Sequence, residues 1–277
     1  MAYDFKSECI FAHNFIKNDK FLKQILLRHY YGYQTYIQIT GSTNSGKTYL
    51  GNWFYWLLTH GMYNRQPTLN DFFFSIEDLS KQISHINQRC VRNNEAGKRG
   101  RNWNDKANEL WSKVLQQQRI QGNVYIDDLP HRKEASAIMN IHINYLITID
   151  NFVVNYLKKE VSGEEIDIDN IEEYQIVRRA NVFQYIVDYV GFSQYSQSNY
   201  FVMPRWIDNF EIPNFPTDKR CVNFWKFNNE TYMPYEIEGK SKLAKLIESE
   251  TFSNETKKNK KAIKEIQDAG KGLKDFI

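Results

Sequence analysis

Cysteine is scarce: Cys9, Cys90 and Cys221 are the only three, they lie far apart, and no two form a C-x-x-C pair. That odd, scattered set excludes a disulfide frame and a cysteine zinc site, and it suits a reducing compartment. The six histidines, at positions 13, 29, 60, 85, 131 and 142, are as dispersed as the cysteines. Net charge is also small. A formal value of +3 does not mark a nucleic-acid binder by bulk charge, so any such role must rest on local patches. No signal-peptide pattern opens the sequence, no apolar run approaches membrane-spanning length, and no internal repeat is evident. The expected location is the cytoplasm, without membrane insertion.

What the chain does have is material for a large core. It runs to 277 residues with 42% hydrophobic and 15% aromatic content, enough for one large α/β domain with appendages. Its organising stretch is Gly41-Ser42-Thr43-Asn44-Ser45-Gly46-Lys47-Thr48, which meets the G-x-x-x-x-G-K-[ST] (Walker A) pattern at every required position. The context agrees: Tyr36 to Thr40 reads as a short strand entering the loop, and Tyr49 to Leu58 as a buried helix leaving it. Glycines let the backbone wrap a phosphate with its N–H groups, and the helix aims its positive dipole end at the same anion. Gly41 to Tyr49 are therefore the expected nucleotide contacts. Lys47 reaches the β and γ phosphates, and the Thr48 hydroxyl holds Mg2+. The plain alternative is a Gly/Ser/Asn turn that only links strand to helix.

Around this loop the periodicity predicts a helix over Asp19 to Tyr30, a buried strand over Phe72 to Ile76 and a returning helix over Glu77 to Ile86. Trp103 to Arg119 reads as an amphipathic helix, with Ala107, Leu110, Trp111, Val114 and Leu115 on one stripe. Tyr145 to Ile149 reads as a buried strand, Ile212 to Pro216 as a rigid turn and Cys221 to Phe227 as an edge strand. Glu164 to Glu173 reads as an exposed acidic insertion. The aromatic run from Asn181 to Tyr200 could stack on bases, although aromatics more often fill a core. The expected fold is an α/β, RecA-like P-loop NTPase with a mainly parallel sheet and helices on both faces. Residues 1–33 form a peripheral segment, 34–239 the ATPase domain, and 240–277 a basic, helical or flexible tail.

An ATPase of this kind needs an acid at the end of a neighbouring strand, both to complete the magnesium shell and to activate water. Local pattern favours Val124-Tyr125-Ile126-Asp127-Asp128, an apolar strand ending in two carboxylates, with Asp127 as the metal-side acid. A second choice is Glu95, in Cys90 to Gly97. The strand before it looks poor, because Gln88, Arg89 and Arg92 do not suit the middle of a buried sheet. The blander readings are a strand-to-turn cap for Asp127 and Asp128, and a surface loop acid for Glu95.

Resemblance bears on that choice. Asn94-Glu95-Ala96-Gly97, then Gly100-Arg101-Asn102-Trp103, then Leu115-Gln116-Gln117-Gln118-Arg119, then an apolar strand closed by Pro130, resembles small archaeal and viral ATPases of the FtsK/HerA superfamily, over roughly residues 34 to 150. That group comprises DNA translocases and packaging motors. The resemblance implies Glu95 as the water-activating base and Arg119 as a phosphate contact, within its own protomer or across a subunit boundary; the other reading of Arg119 is a basic residue placed favourably at a helix C-terminus. It also implies ATP and Mg2+ as cofactors, DNA as partner, a homo-oligomeric ring, and work in a host cytoplasm or virion-assembly complex. The chain departs from the pattern at Asn94, where the family carries the magnesium-linked aspartate.

Arg89, Arg92, Lys98, Arg99 and Arg101 make the densest basic cluster, with Lys98, Arg99 and Arg101 the expected DNA or arginine-finger contacts. A solvated face is the other reading. Lys257, Lys258, Lys260 and Lys261 make the tail basic, suited to DNA or a protein partner, or simply to solubility. The rival to a DNA motor is a nucleotide-binding assembly or morphogenesis protein with weak or no ATPase activity.

Overall fold

Val, Ile, Tyr and Leu runs bounded by turn residues supply the strands that the computed structural model assembles. It describes residues 4–42, 45–73, 88–94, 122–129, 143–149, 153–155, 175–188, 201–212, 222–239 and 241. The chain divides into two compact units, Met1–Glu230 and Thr231–Ile277. Within the second, residues 233–239 are helical.

The first unit opens with two helices, α1 (Phe5–Asn18) and α2 (Lys20–Tyr30). Asp19 separates them: its carboxylate accepts from the Leu22 backbone N–H at 2.7 Å, an N-cap that starts α2 where the sequence predicts a helix. Strand β1 (Thr35–Thr40) follows, buried at every residue, and leads through the glycine loop into α3 (Lys47–Gly61). Then come β2 (Phe72–Phe73), β3 (Cys90–Asn94), β4 (Val124–Leu129), β5 (Tyr145–Ile149), β6 (Val153–Asn155), β7 (Gln175–Asp188) and β8 (Phe201–Ile212). The chain continues into a short helix, α4 (Val222–Lys226), which passes into a π-helix, Phe227–Tyr232.

The described strands form one mixed sheet in the order β2-β3-β4-β1-β5-β7, with β6 and β8 both pairing with β7. β2, β3, β4, β1 and β5 are parallel neighbours, and the pairings of β7 are antiparallel. The chain leaves β1, travels to the β2 edge, returns through β3 and β4, and then crosses β1 to reach β5. β1 therefore lies at a switch in strand order, the place where α/β sheets open a ligand crevice outside their carboxyl ends.

α3 is buried over most of its length, and neighbours cover it on several sides. It packs on β1, β3 and β4, against α1, and through Trp53 and Tyr49 against Phe224 of α4, with ring centroids 5.0 Å and 5.3 Å apart. Trp53 and Trp56 stack at 5.6 Å and 7°. An offset or stacked aromatic pair of this kind adds about 0.5–1.5 kcal/mol beyond area burial.

Two expectations are corrected. Cys221 to Phe227 is not an edge strand: residues 222–226 are α-helical. The Val and aromatic content favoured a strand, but Phe224 and Asn228, four apart, are the buried positions, while Trp225 and Lys226 are exposed. That is a helical period. Nor does Arg92 spoil β3 as a buried strand, for a reason given below. The stretches 77–86, 103–119, 164–173 and 213–216 lie outside the described residues, as does the tail beyond residue 241. No helix among the described residues is long and apolar enough to cross a membrane.

Candidate functional site

At the carboxyl end of β1 the chain must turn into α3 within six residues, and Gly46 makes the turn with φ 91° and ψ 18°. That left-handed conformation is cheap only for glycine, which explains the second glycine of the motif. The Leu50 N–H then donates to the Gly46 carbonyl at 2.9 Å, closing the first helical bond. Lys47, which is buried, curls back so that its ammonium donates to the Gly41 carbonyl at 2.9 Å and the Ser42 carbonyl at 2.8 Å. It thereby ties the start of α3 to the first two residues of the loop. Ser45 is buried with its hydroxyl making no hydrogen bond among the described residues, although its backbone N–H donates to Ser42 at 3.2 Å. Thr48, half-buried, follows Lys47 in the first turn of α3. Backbone N–H groups, a helix dipole, an ammonium and two hydroxyls thus converge on one loop, a constellation suited to an anion with several oxygens.

The adjoining strand ends carry charge inside the sheet. Arg92 of β3 is fully buried, and its guanidinium makes a bidentate pair with Asp128 of β4, at 2.9 Å to Oδ1 and 2.7 Å to Oδ2. Its Nε donates to Asn52 Oδ1 on α3 at 3.1 Å, and Nη1 also donates to the Ile126 carbonyl at 3.2 Å. This pairing is why an arginine can stand in a buried strand. α3 makes room with Gly51, where a Cβ would lie 2.5 Å from the Arg92 Cζ. The network continues: Asn52 Nδ2 donates to Asn228 Oδ1 at 2.9 Å, reaching the π-helix.

Strand pleating sends consecutive side chains to opposite faces. Asp128 faces α3 with Arg92, so Asp127 points to the other face, in register with Gln38 of β1 and Asn93 of β3. All three are fully buried, and the amides of Gln38 and Asn93 make no hydrogen bond among the described residues. Burial first, and the neighbouring Asp128 second, push the Asp127 carboxyl well above the usual carboxylate range.

Of the residues singled out from the sequence, Gly41, Ser42, Ser45, Gly46, Lys47, Thr48 and Tyr49 are gathered at the carboxyl end of β1. Asp127 and Asp128 stand on β4 beside it, on opposite faces. Asn94 ends β3, two strands from β1. Thr43, Asn44, Glu95, Lys98, Arg99, Arg101 and Arg119 lie outside the described residues. Arg92 leaves the basic cluster, being interior, and Arg89 is paired with Asp71 at 3.5 Å. Sequence reasoning assigned Arg92 to the basic cluster and missed Asn52, Gly51 and Asn228. The available signal was the arginine itself: in a buried strand it demands an acid on a neighbouring strand, and Asp128 is the near one.

A G-x-x-x-x-G-K-T loop between a buried strand and a helix, at the switch point of a largely parallel sheet, defines an α/β fold of the P-loop NTPase class. No protein-family model matches the chain, and none of the curated proteins matches it. Among solved structures, the chain is similar to the genome packaging NTPase B204 from Sulfolobus turreted icosahedral virus 2 in complex with AMPPCP, at 13% identity and TM-score 0.34, over 55% of this chain and 92% of that one. It is also similar to the N-terminal domain of zonular occludens toxin from Neisseria meningitidis, at 14% identity and TM-score 0.35, over 64% and 95%. The KaiC-like protein PH0186 from Pyrococcus horikoshii OT3 matches at 12% identity and TM-score 0.30, over 56% and 86%.

Proposed function

We propose that the chain binds ATP with Mg2+ at Gly41–Thr48 and hydrolyses it as a motor on DNA, of the FtsK/HerA kind that its motifs resemble. The observation that carries the nucleotide step is Lys47 drawn across a left-handed glycine cap onto the carbonyls of Gly41 and Ser42. On binding, the ammonium would exchange those carbonyls for β and γ phosphate oxygens while the loop N–H groups take the remainder. Thr48 fits magnesium, since its hydroxyl opens the same helix one residue further on. Bound magnesium neutralises charge on the β and γ phosphates. Glu95, directly after Asn94, is the base that orients water; Arg119 contacts phosphate. Lys98, Arg99 and Arg101 reach DNA or a neighbouring protomer of a homo-oligomeric ring, and the basic tail takes a protein partner.

The rival, a nucleotide-binding assembly protein with little turnover, draws on one specific observation. Position 94 is an amide, and Asp128 gives both carboxylate oxygens to Arg92. One experiment separates the two: ATP hydrolysis and nucleotide binding measured with and without DNA, alongside particle size. DNA-stimulated turnover by a ring supports the motor, whereas binding without turnover supports the assembly role. Lys47→Ala should weaken nucleotide binding roughly 10- to 100-fold, the worth of hydrogen bonds from a charged donor. Glu95→Gln should keep binding and lower turnover by roughly 10²- to 10⁴-fold, the usual contribution of a general base. Unchanged turnover would remove Glu95 from this role.

A further inference from the structure

A buried ion pair is an uneconomical way to fill space. Taking both charges out of water costs about as much as their attraction returns, and apolar residues of equal volume often do as well or better. Arg92 and Asp128 are nonetheless fully buried and meet with good bidentate geometry. The reason is to be sought in what they hold. From its place on β3, the Arg92 side chain bonds to two other elements at the crevice: β4, through Asp128 and the Ile126 carbonyl, and α3, through Asn52. Those elements are the ones whose relative placement matters for hydrolysis. β3 ends at Asn94, with Glu95 next in the chain, and α3 begins at Lys47 and Thr48, with Asn52 four residues beyond Thr48. β4 lies between β3 and β1.

We propose that Arg92 is a positioning residue for ATP hydrolysis: by gripping Asp128 and Asn52 together it fixes the carboxyl end of β3 against the first turns of α3. The inference rests on the reading of this site as an ATPase. A guanidinium suits the task because its donors lie in a rigid planar fork, so direction as well as distance is set at each partner. A lysine would supply charge without that fork. Gly51 gives the clamp its seat, since any side chain there would meet the guanidinium. Asn52 is itself held from behind by Asn228, whose own amide donates to Asn229 at 2.9 Å. The clamp thus runs from β4, through α3, into the π-helix. π-helical turns are rare in folds and tend to occur at functional sites.

The decisive variant is the double substitution Arg92→Met with Asp128→Leu, which replaces the pair by apolar groups of similar bulk. A merely structural pair predicts an enzyme with unaltered kcat and KM. The positioning role predicts a folded protein that binds nucleotide within about threefold of wild type and has a kcat at least about tenfold lower, because misplacing a reacting group by an ångström costs rate rather than affinity. Asn52→Ala leaves the ion pair whole and cuts only the tie to α3, so it serves if the double variant fails to fold. It should lower kcat in the same direction by a smaller factor, and Arg92→Lys should not restore wild-type kcat. Wild-type kcat in the folded double variant, or in Asn52→Ala if that is the only one to fold, overturns the proposal, as does a fall in nucleotide affinity that matches the fall in rate. If the wild-type chain binds nucleotide without hydrolysing it, the ATPase reading falls and the proposal with it. If the wild type hydrolyses ATP and the variants keep pace, only the proposal falls.

Discussion

On the α3 face of β4, Asp128 meets a guanidinium at 2.7 Å and 2.9 Å; on the opposite face, Asp127 sits in a buried row between the amides of Gln38 and Asn93. The two are adjacent in the chain, equally buried, and alike to any reading of local pattern. The pleat alone separates them. One face is organised by charge that is matched and multiply bonded; on the other, burial drives the Asp127 carboxyl toward its neutral form. An acid at a strand tip is thus defined by the partner its face supplies.

The sharpest way to break this contrast is to remove one half of the pair. Asp128→Ala leaves Arg92 charged inside the protein, and losing one partner of a buried pair costs about 3–5 kcal/mol. At about 2–4 °C per kcal/mol for a domain of 150–250 residues, the melting temperature should drop by roughly 10 °C. Thermal or denaturant unfolding reads this directly. A loss below about 1 kcal/mol would mean that the pair is not the buried, matched interaction described here.

The same pair shows where sequence reading succeeds and where it stops. The glycine loop, β1, β4 and β5 are legible because their information is local: a fixed motif, and apolar runs bounded by turn residues. β3 reads poorly as a buried strand as long as Arg92 is taken without Asp128, thirty-six residues further along. No window of ordinary length contains both. Residues 221–227 depart from expectation for the opposite reason: their Val and aromatic content is a weak prior for a strand, and packing of Phe224 against α3 overrides it. In the site, the strand that carries Asn94 is two places from β1, with β4 between them. That arrangement puts Asp127 and Asp128 on the strand beside β1 and Asn94 at the end of the next strand, and it could not be read from either motif alone.

A smaller effect sharpens the geometry of the matched face. Gly51→Ala places a Cβ 2.5 Å from Arg92 Cζ, so either helix or guanidinium must shift, and overpacking of this sort costs about 1–3 kcal/mol. In the Arg92→Met, Asp128→Leu background the obstacle is a flexible thioether chain, and the same substitution should cost less than half as much. Unfolding free energies for the four proteins form a cycle whose coupling term isolates the contact. Additive costs would show that Gly51 is spacious for some reason other than Arg92.

The smallest effect at neutral pH falls on the other face, and it has a characteristic pH signature. Asp127→Asn is nearly isosteric and replaces a carboxyl that the fold already favours as neutral, so its cost should stay within about 1 kcal/mol. With the folded-state value of Asp127 raised and the unfolded value near about 4, the folded protein holds the proton more tightly. Stability from this group is therefore fully present below about pH 4 and is lost as pH rises toward the folded-state value, since the native state binds more protons across that window. The asparagine has no such proton to lose. Measured from about pH 4 upward, Asp127→Asn should gain stability relative to wild type with rising pH. Parallel stability curves for wild type and Asp127→Asn would show that Asp127 is charged in the fold, and the two faces of β4 would then differ in geometry alone.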